Sequence, residues 1–368
     1  MRSLDLSATT DHEQIEHYAR AQRTLLRRFR ALDPKNVLAV GFGPKVVAGE
    51  TTAALSTRVF VRRKRAARTA KRSRIPASCT IRCRCPHAGV YRTWVVPTDV
   101  EEARAPQGTG VQVSFLSTGR PTNRRTNAVS SLVVRWTDDR PGAGTGDLLA
   151  ETEAAGPALF SGGTMRYGLL TVAHAIPAGA GGGVVIARKT VCGDQPTEIE
   201  GQVIYRGLRS GAPDAAIVET TFDRLWLSGF LRSTTHDELP LVHSADWLAW
   251  LDRGAEGYWH GDRVVGRWLF SAYFPQLTIS GLGSLQHVIR FRWGGGERNR
   301  VAAADRGGPF LPGTSGAALM QGGRVAALQV AAEAPGFEDA YAQLISPTLD
   351  AVQKRFQHGS ALRLIGVF

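Results

Sequence analysis

Cysteine is scarce in this chain: four in 368 residues, three of them bunched as Cys79, Cys83 and Cys85. So few, so placed, do not make a disulfide framework for a chain of this length, and the expected setting is a reducing cytoplasm. No apolar run approaches the roughly 20 residues that a bilayer span requires, so no membrane partner is expected. The opening MRSLDLSATTDHEQIEHYAR has neither an apolar stretch nor a small-residue cleavage site, and it does not read as a secretory signal. The glycine clusters PAGAGGG (177–183) and GGG (294–296) lack the Gly-Lys-Ser/Thr of a phosphate loop and read as turns. No internal repeat with a period of roughly 20 to 50 residues is present.

What is present describes a folded, core-forming protein. Apolar residues make up 43% and charged residues 21%, with eight Trp and fourteen Phe. The net charge of +13 is unevenly spread. Residues 1–108 hold 21 Lys/Arg against 9 Asp/Glu, a net of +12, while residues 109–368 hold 24 against 23. Acidic residues are therefore in short supply only in the first part, which suggests two modules divided near APQGTG, where Pro and Gly cluster. The segment 58–74, which ends in RRKRAARTAKRSR, would suit a nucleic acid or another acidic partner. It has no interleaved aromatics for base stacking, so a solvated surface run is an equally open reading.

Residues 10–32 read as a helix. Thr10 with Glu13 forms a capping box, Ile15, Tyr18, Leu25, Phe29 and Leu32 share one face, and Pro34 follows the end. NVLAVGFGPKVVAGETTAALSTRVFVRRK reads as strands joined by Gly-rich turns, and VYRTWVVPTDV as one more strand. The first module is thus a small α+β unit. Beyond 110, short apolar runs alternate with Gly, Pro and Asp, among them SSLVVRW, GLLTVAHA, DAAIVE, HVIRFRW, GAALMQ and RVAALQVAA. Without alternating helices, this pattern predicts an all-β barrel or sandwich. Only the tail, PTLDAVQKRFQ, has helical spacing.

One histidine stands where an apolar run gives out, in YGLLTVAHAIPAG. A lone His beside an apolar run is commonly a core residue with both nitrogens satisfied. Here two further residues bear on it. LPGTSGAALMQ sets Ser315 between Gly313 and Gly316, and a tight turn without Cβ atoms can aim two backbone N–H groups at one developing oxyanion. GAPDAAIVE sets Asp214 at the start of an apolar strand, where a buried carboxylate can orient an imidazole. The chain order is His174, Asp214, Ser315, with separations of 40 and 101 residues.

In these motifs residues 110–368 resemble the trypsin-like (chymotrypsin-fold) serine peptidases. LLTVAHAI resembles the family's Thr-Ala-(Ala/Gly)-His motif, DAAIV its Asp-(Ile/Leu)-Ala-Leu motif, and GTSGAA its Gly-(Asp/Asn)-Ser-Gly-Gly motif. The first module further resembles the leader of a bacterial and plant subgroup, the narrow-leaf type proteins, with CTIRCRCPHAG interrupting the match. The resemblance implies a mainly β chymotrypsin-like double β-barrel with a C-terminal helix. It implies a serine endopeptidase acting on protein or peptide substrates without metal or cofactor. His174 would be the general base, Asp214 its orienter and Ser315 the nucleophile, with backbone N–H groups of Gly313 and Ser315 as the oxyanion hole. The substrate pocket would involve Pro309, Val330 and Asp339. Pro309, six before the serine, favours apolar side chains at its floor, whereas Asp339 would attract a cation; the apolar choice is the expectation. Thr314 and Ala317 depart from the family motif. The missing acid at 314 implies no zymogen cleavage of the kind in which a new N-terminus pairs with it.

Other readings stay open. An intact fold without activity would serve as a binding module, and the basic leader could make the chain a nucleic-acid-associated protein. Cys79, Cys83, Cys85 and His87 do not match the spacing of a structural zinc site and are read as unpaired thiols, and Cys192 stands alone.

Overall fold

A computed structural model of the chain describes residues 11–47, 50–64, 75–84, 91–108, 124–126, 132–138, 164–176, 183–189, 196–207, 212–227, 238–260, 265–294, 310, 314–334, 338–356 and 361–365. The protein is mainly β, built on two sheets. The first holds seven strands: β6 (Arg124–Thr126), β7 (Leu132–Asp138), β8 (Thr164–Thr171), β9 (Gly183–Lys189), β10 (Pro196–Arg206), β11 (Ala216–Thr220) and β18 (Arg363–Ile365). Its spatial order is β18-β7-β8-β11-β10-β9-β6.

The second sheet contains β12 (Glu256–His260), β13 (Val265–Ile279), β14 (Gly283–Trp293), β15 (Ala318–Gln321), β16 (Arg324–Glu333) and β17 (Asp339–Leu344). These six close on themselves in the order β13-β14-β17-β16-β15-β12, with β12 returning to β13 and every pairing antiparallel. Closure pairs these strands on both sides except where pairing with β15 stops at Leu328 and leaves the end of β16 to other partners. Leu132, Val134, Leu170, Val172 and Ile217 of the first sheet share one apolar cluster with Ala318, Leu328, Val330 and Tyr341 of the second. The C-terminal helix α5 (Ile345–Gln353) closes that cluster with Leu349 and Val352, and Trp136 meets Phe356 edge-on at 5.4 Å.

The first module is not held at arm's length. Helix α1 (Asp11–Leu32) buries Tyr18, Leu25 and Phe29 as its spacing predicts, while Leu32 is 37% exposed. The same face also buries Gln22, whose amide donates to the Val40 and Gln276 carbonyls and whose Oε1 accepts from the Gln276 N–H. Strands β1 (Val37–Val47), β2 (Glu50–Val61), β3 (Ser78–Arg84) and β4 (Tyr91–Glu102) continue the second sheet through β1 on β13, where Phe42 pairs with Tyr273. Gly41 and Gly43, expected in a turn, lie inside β1. A Cβ at 43 would stand 2.5 Å from the Ser271 carbonyl and one at 41 only 2.8 Å from that of Tyr273, so glycine is what lets β1 cross so close to β13.

One other expectation is corrected. Short helices α2 (Phe222–Leu227), α3 (Ser244–Leu248) and α4 (Trp250–Arg253) interrupt the β pattern. α3 and α4 serve mainly to deliver Trp247, Trp250 and Leu251 to the core shared with α1 and β1. The Pro/Gly cluster near 105–110 also contributes a short strand, β5 (Pro106–Gly108), paired with β16.

A buried ionic cluster fastens the first module to the second barrel. Arg290 (1% exposed) donates to Glu333 and Glu101, each at 2.7 Å, and its remaining nitrogen lies 3.0 Å from Asp339. Arg58 adds a second guanidinium on Glu101 from β2. Burial pushes the Glu101 carboxyl up, but the Arg290 and Arg58 charges beside it more than offset that and hold it at about 2. Its usual value is 4.5, so the folded state favours the carboxylate. The stability this supplies is full above pH 4.5 and is lost as the pH falls from there through about 2. Denaturant midpoints measured across that window are expected to fall steeply for the wild type. For Glu101→Gln they should be lower at neutral pH and flatter across the window; parallel curves would show that Glu101 does not carry the effect.

Candidate active site

The three residues singled out by their motifs arrive from three separate places. β8 is apolar and buried over its last five residues, and it ends at Thr171. Val172 is still extended, and then Ala173–Ala175 turn through a single 3-10 helix that carries His174. Ala173 and Ala175 are fully buried, which anchors the turn, and the imidazole side chain between them is 8% exposed. Arg206 at the end of β10 ties the turn down by donating to the Ala173 and Ile176 carbonyls at 3.3 and 2.9 Å.

Asp214 lies just before β11 and is 0% exposed. Its approach depends on Gly207: a Cβ there would fall 2.2 Å from the Pro213 carbonyl, while the Gly207 N–H donates to the Ala215 carbonyl at 2.9 Å. Both carboxylate oxygens meet His174. Oδ1 accepts the backbone N–H at 2.9 Å, and Oδ2 lies 2.5 Å from ring Nδ1. The Asp214 N–H in turn donates to Oε1 of Gln343 on β17, at 2.8 Å. One residue of the first sheet is thereby set by a side chain of the second barrel.

Ser315 sits in the turn before β15, 3.1 Å from Nε2 of His174 through its Oγ. The same oxygen lies 3.3 Å from the Val330 carbonyl. Gly316 takes φ +96°, a conformation that side chains resist, and its N–H donates to the Gln329 carbonyl at 2.9 Å. Thr314, one of the two departures from the family motif, has a local role: its hydroxyl accepts from Gln329 Nε2 at 2.7 Å, and Gln329 Oε1 accepts from the Trp259 indole at 2.6 Å. Ala317 is fully buried. Phe310 is buried edge-on against Trp259, Trp293 and Phe291, anchoring the chain ahead of the serine.

The arrangement therefore brings His174, Asp214 and Ser315 into one hydrogen-bonded line. Val330 is buried beside it, with its carbonyl on the serine. Asp339 is engaged elsewhere: both its oxygens accept from Arg292, at 3.0 and 3.2 Å, and Arg290 lies on Oδ2. Gly313 and Pro309 lie outside the described residues. Gln343, Gln329 and Trp259 were not singled out from sequence, because a polar or aromatic residue inside an apolar strand has no motif of its own.

Among the described residues no group of three or more His, Cys, Asp or Glu is placed to hold a metal ion. Cys79 is buried in β3, its thiol 3.3 Å from the Thr57 hydroxyl. Cys83 shares that strand; Cys85, His87 and Cys192 lie outside the described residues. Of the basic segment 58–74, Arg58 is buried in the ionic cluster, Arg62, Arg63 and Lys64 are exposed, and 65–74 lie outside the described residues. No helix of the described residues is long and apolar enough to cross a membrane.

No family model matches the chain, and no curated protein does. Solved structures similar to it include a protease from Nocardiopsis, at 13% identity and TM-score 0.30, covering 54% of this chain and 86% of that one. A glutamic acid specific serine protease, described as using a histidine triad in substrate binding, matches at 15% identity and TM-score 0.29, covering 50% and 84%.

The Asp214–Gln343 bond can be tested directly. Gln343→Leu keeps the volume but removes the acceptor, leaving a buried N–H without its partner. The expected cost is about 1–3 kcal/mol, read as a lower denaturant midpoint at unchanged slope. A variant as stable as wild type would show that the bond contributes nothing net.

Proposed function

We propose that this protein is a serine endopeptidase that cleaves protein or peptide chains through an acyl-enzyme intermediate. The observation that carries the proposal is the continuous line from the Asp214 carboxylate through the His174 ring to the Ser315 hydroxyl, at 2.5 and 3.1 Å. A serine hydroxyl alone is a weak nucleophile, and a base within hydrogen-bonding reach is what activates it. His174 Nε2 takes the proton as Oγ attacks the substrate carbonyl carbon. Asp214, accepting from Nδ1 and from the backbone N–H, fixes the ring's tautomer and stabilises the imidazolium that forms. The carbonyl oxygen becomes an oxyanion, held by the Ser315 N–H and, as the motif implies, the Gly313 N–H. His174 then gives its proton to the leaving amine as the C–N bond breaks. Water, deprotonated by the same ring, attacks the ester carbon and releases the acid with Ser315 restored.

For the residue before the scissile bond we favour an apolar side chain. Asp339, the one carboxylate proposed for the pocket, already has two guanidinium partners, Arg290 and Arg292. Val330 beside the serine is apolar. No step calls for a metal or an organic cofactor.

A fluorophosphonate reports the assembled site, since only an activated serine attacks phosphorus readily. The wild type is expected to label once, at Ser315; Ser315→Ala should abolish labelling and His174→Ala nearly so. Asp214→Asn should fold and lose about four orders of magnitude in turnover, the size expected when a triad imidazole loses its orienting carboxylate. Folded protein that neither labels nor cleaves a denatured protein would replace this reading with that of an inactive binding module.

A further inference from the structure

The edge of β16 beside Ser315 is occupied by the chain's own segment. β16 pairs along one side with β17 from Ala327 to Ala332, Ala331 opposite Tyr341 and Ala332 opposite Ala340. Its other side is shared by three pieces in succession. β15 covers residues 324–328, the turn carrying Ser315 covers Gln329 and Val330, and β5 covers 331–333. In that last stretch Gly108 pairs with Ala331, Gln107 with Ala332 and Pro106 with Glu333.

Direction matters as much as position. β5 is antiparallel to β16, so it runs from Glu333 towards Ala331, and the Val330 carbonyl that follows is 3.3 Å from Ser315 Oγ. A strand in this place delivers its C-terminal end to the nucleophile. An extended peptide adding itself to an open sheet edge would approach Ser315 by this route.

The segment is also fastened. The Ala103 N–H donates to the Val61 carbonyl at 2.9 Å, and the Arg104 N–H to Glu333 Oε2 at 3.0 Å. The Pro106 carbonyl accepts from the Ser280 N–H at 3.4 Å, on the side away from β16. By the alternation of a strand, the N–H and C=O of Gln107 then face Ala332. Proline at 106 suits this, because an N–H there would not serve the ladder.

Resting on the peptidase reading, we propose that Pro106–Gly108 is a built-in occupant of the substrate strand. It fills the acyl-side edge of the site, and an extended peptide must displace it to bind.

Ester substrates carrying one to four residues on the acyl side test this in the full-length protein. With the edge taken, lengthening the substrate is expected to change wild-type kcat/KM by no more than about twofold, since the added ladder bonds have nowhere to form. Gln107→Pro removes the N–H that faces Ala332 and should free the edge. The same lengthening should then raise kcat/KM by about tenfold or more, mostly through KM. Fluorophosphonate labelling of Ser315, which needs no strand edge, should be unchanged in this variant and shows that it is folded. A wild type that already gains tenfold with length overturns the proposal without recourse to any variant, and so does a labelled Gln107→Pro that gains nothing. If neither protein labels, it is the peptidase reading that fails. Hydrogen exchange then still reads the occupancy: the Ala332 amide should be protected in the wild type and exposed in Gln107→Pro, and equal exchange in the two would overturn it.

Discussion

A carboxylate with no exposed surface has to be met by hydrogen bonds from every side, and Asp214 is such a group at the seam of two sheets. Its oxygens are met by the backbone and the ring of a single residue, His174. Its own N–H is met by Gln343, which belongs to the other barrel. Those three bonds leave little freedom in how the end of β8, the start of β11 and the middle of β17 sit relative to one another. Ser315, tied to Val330 and backed by Thr314, Gln329 and Trp259, meets the other nitrogen of the same ring. The site is thus a consequence of satisfying one buried charge, with supporting groups supplied by β12, β16, β17 and the serine turn.

A second buried charge does comparable work on the neighbouring strand β14. Arg290 is 1% exposed and gathers Glu101 from the first module with Glu333 and Asp339 from the barrel. With the glycine-permitted crossing of β1 over β13, this makes the basic N-terminal module part of the barrel's own sheet. Residues 103–108 leave that module under its hydrogen bonds to Val61 and Glu333 and run directly along β16 towards the serine. Module docking and the state of the strand edge are therefore coupled through one short segment. Glu333 bonds to Arg290, to Tyr341 and to the Arg104 N–H, and so belongs to both.

Much of this was legible in the residues themselves. Helix α1 followed from spacing and punctuation, and the β character of the remainder from short apolar runs. The three polar residues at strand ends stood out because each broke an apolar pattern beside glycine, alanine or proline. Less legible was β13, whose run VGRWLFSAYFPQLTI has an internal proline and whose burial alternates at its two ends but is broken by a bulge after Phe270 and a continuously buried stretch at 272–275. Gly41 and Gly43 fall in a stretch whose glycine content suggests a turn. Glycine marks a turn and a close strand approach alike, and only the position of Ser271 and Tyr273 separates the two.

Local chemistry by itself determined the element types, the charge asymmetry and the short list of residues able to do chemistry, because periodicity and turn preference act over a few neighbouring residues. Tertiary structure alone decided which polar groups meet. Gln343 lies 129 residues from Asp214, and Arg290 lies 189 from Glu101, so nothing in their local context announces the pairing. It also decided that Pro106–Gly108, which looks like a linker, is a strand. Pairing depends on which edge is open where the segment passes, and that edge exists only once β15, the serine turn and β17 have closed around β16.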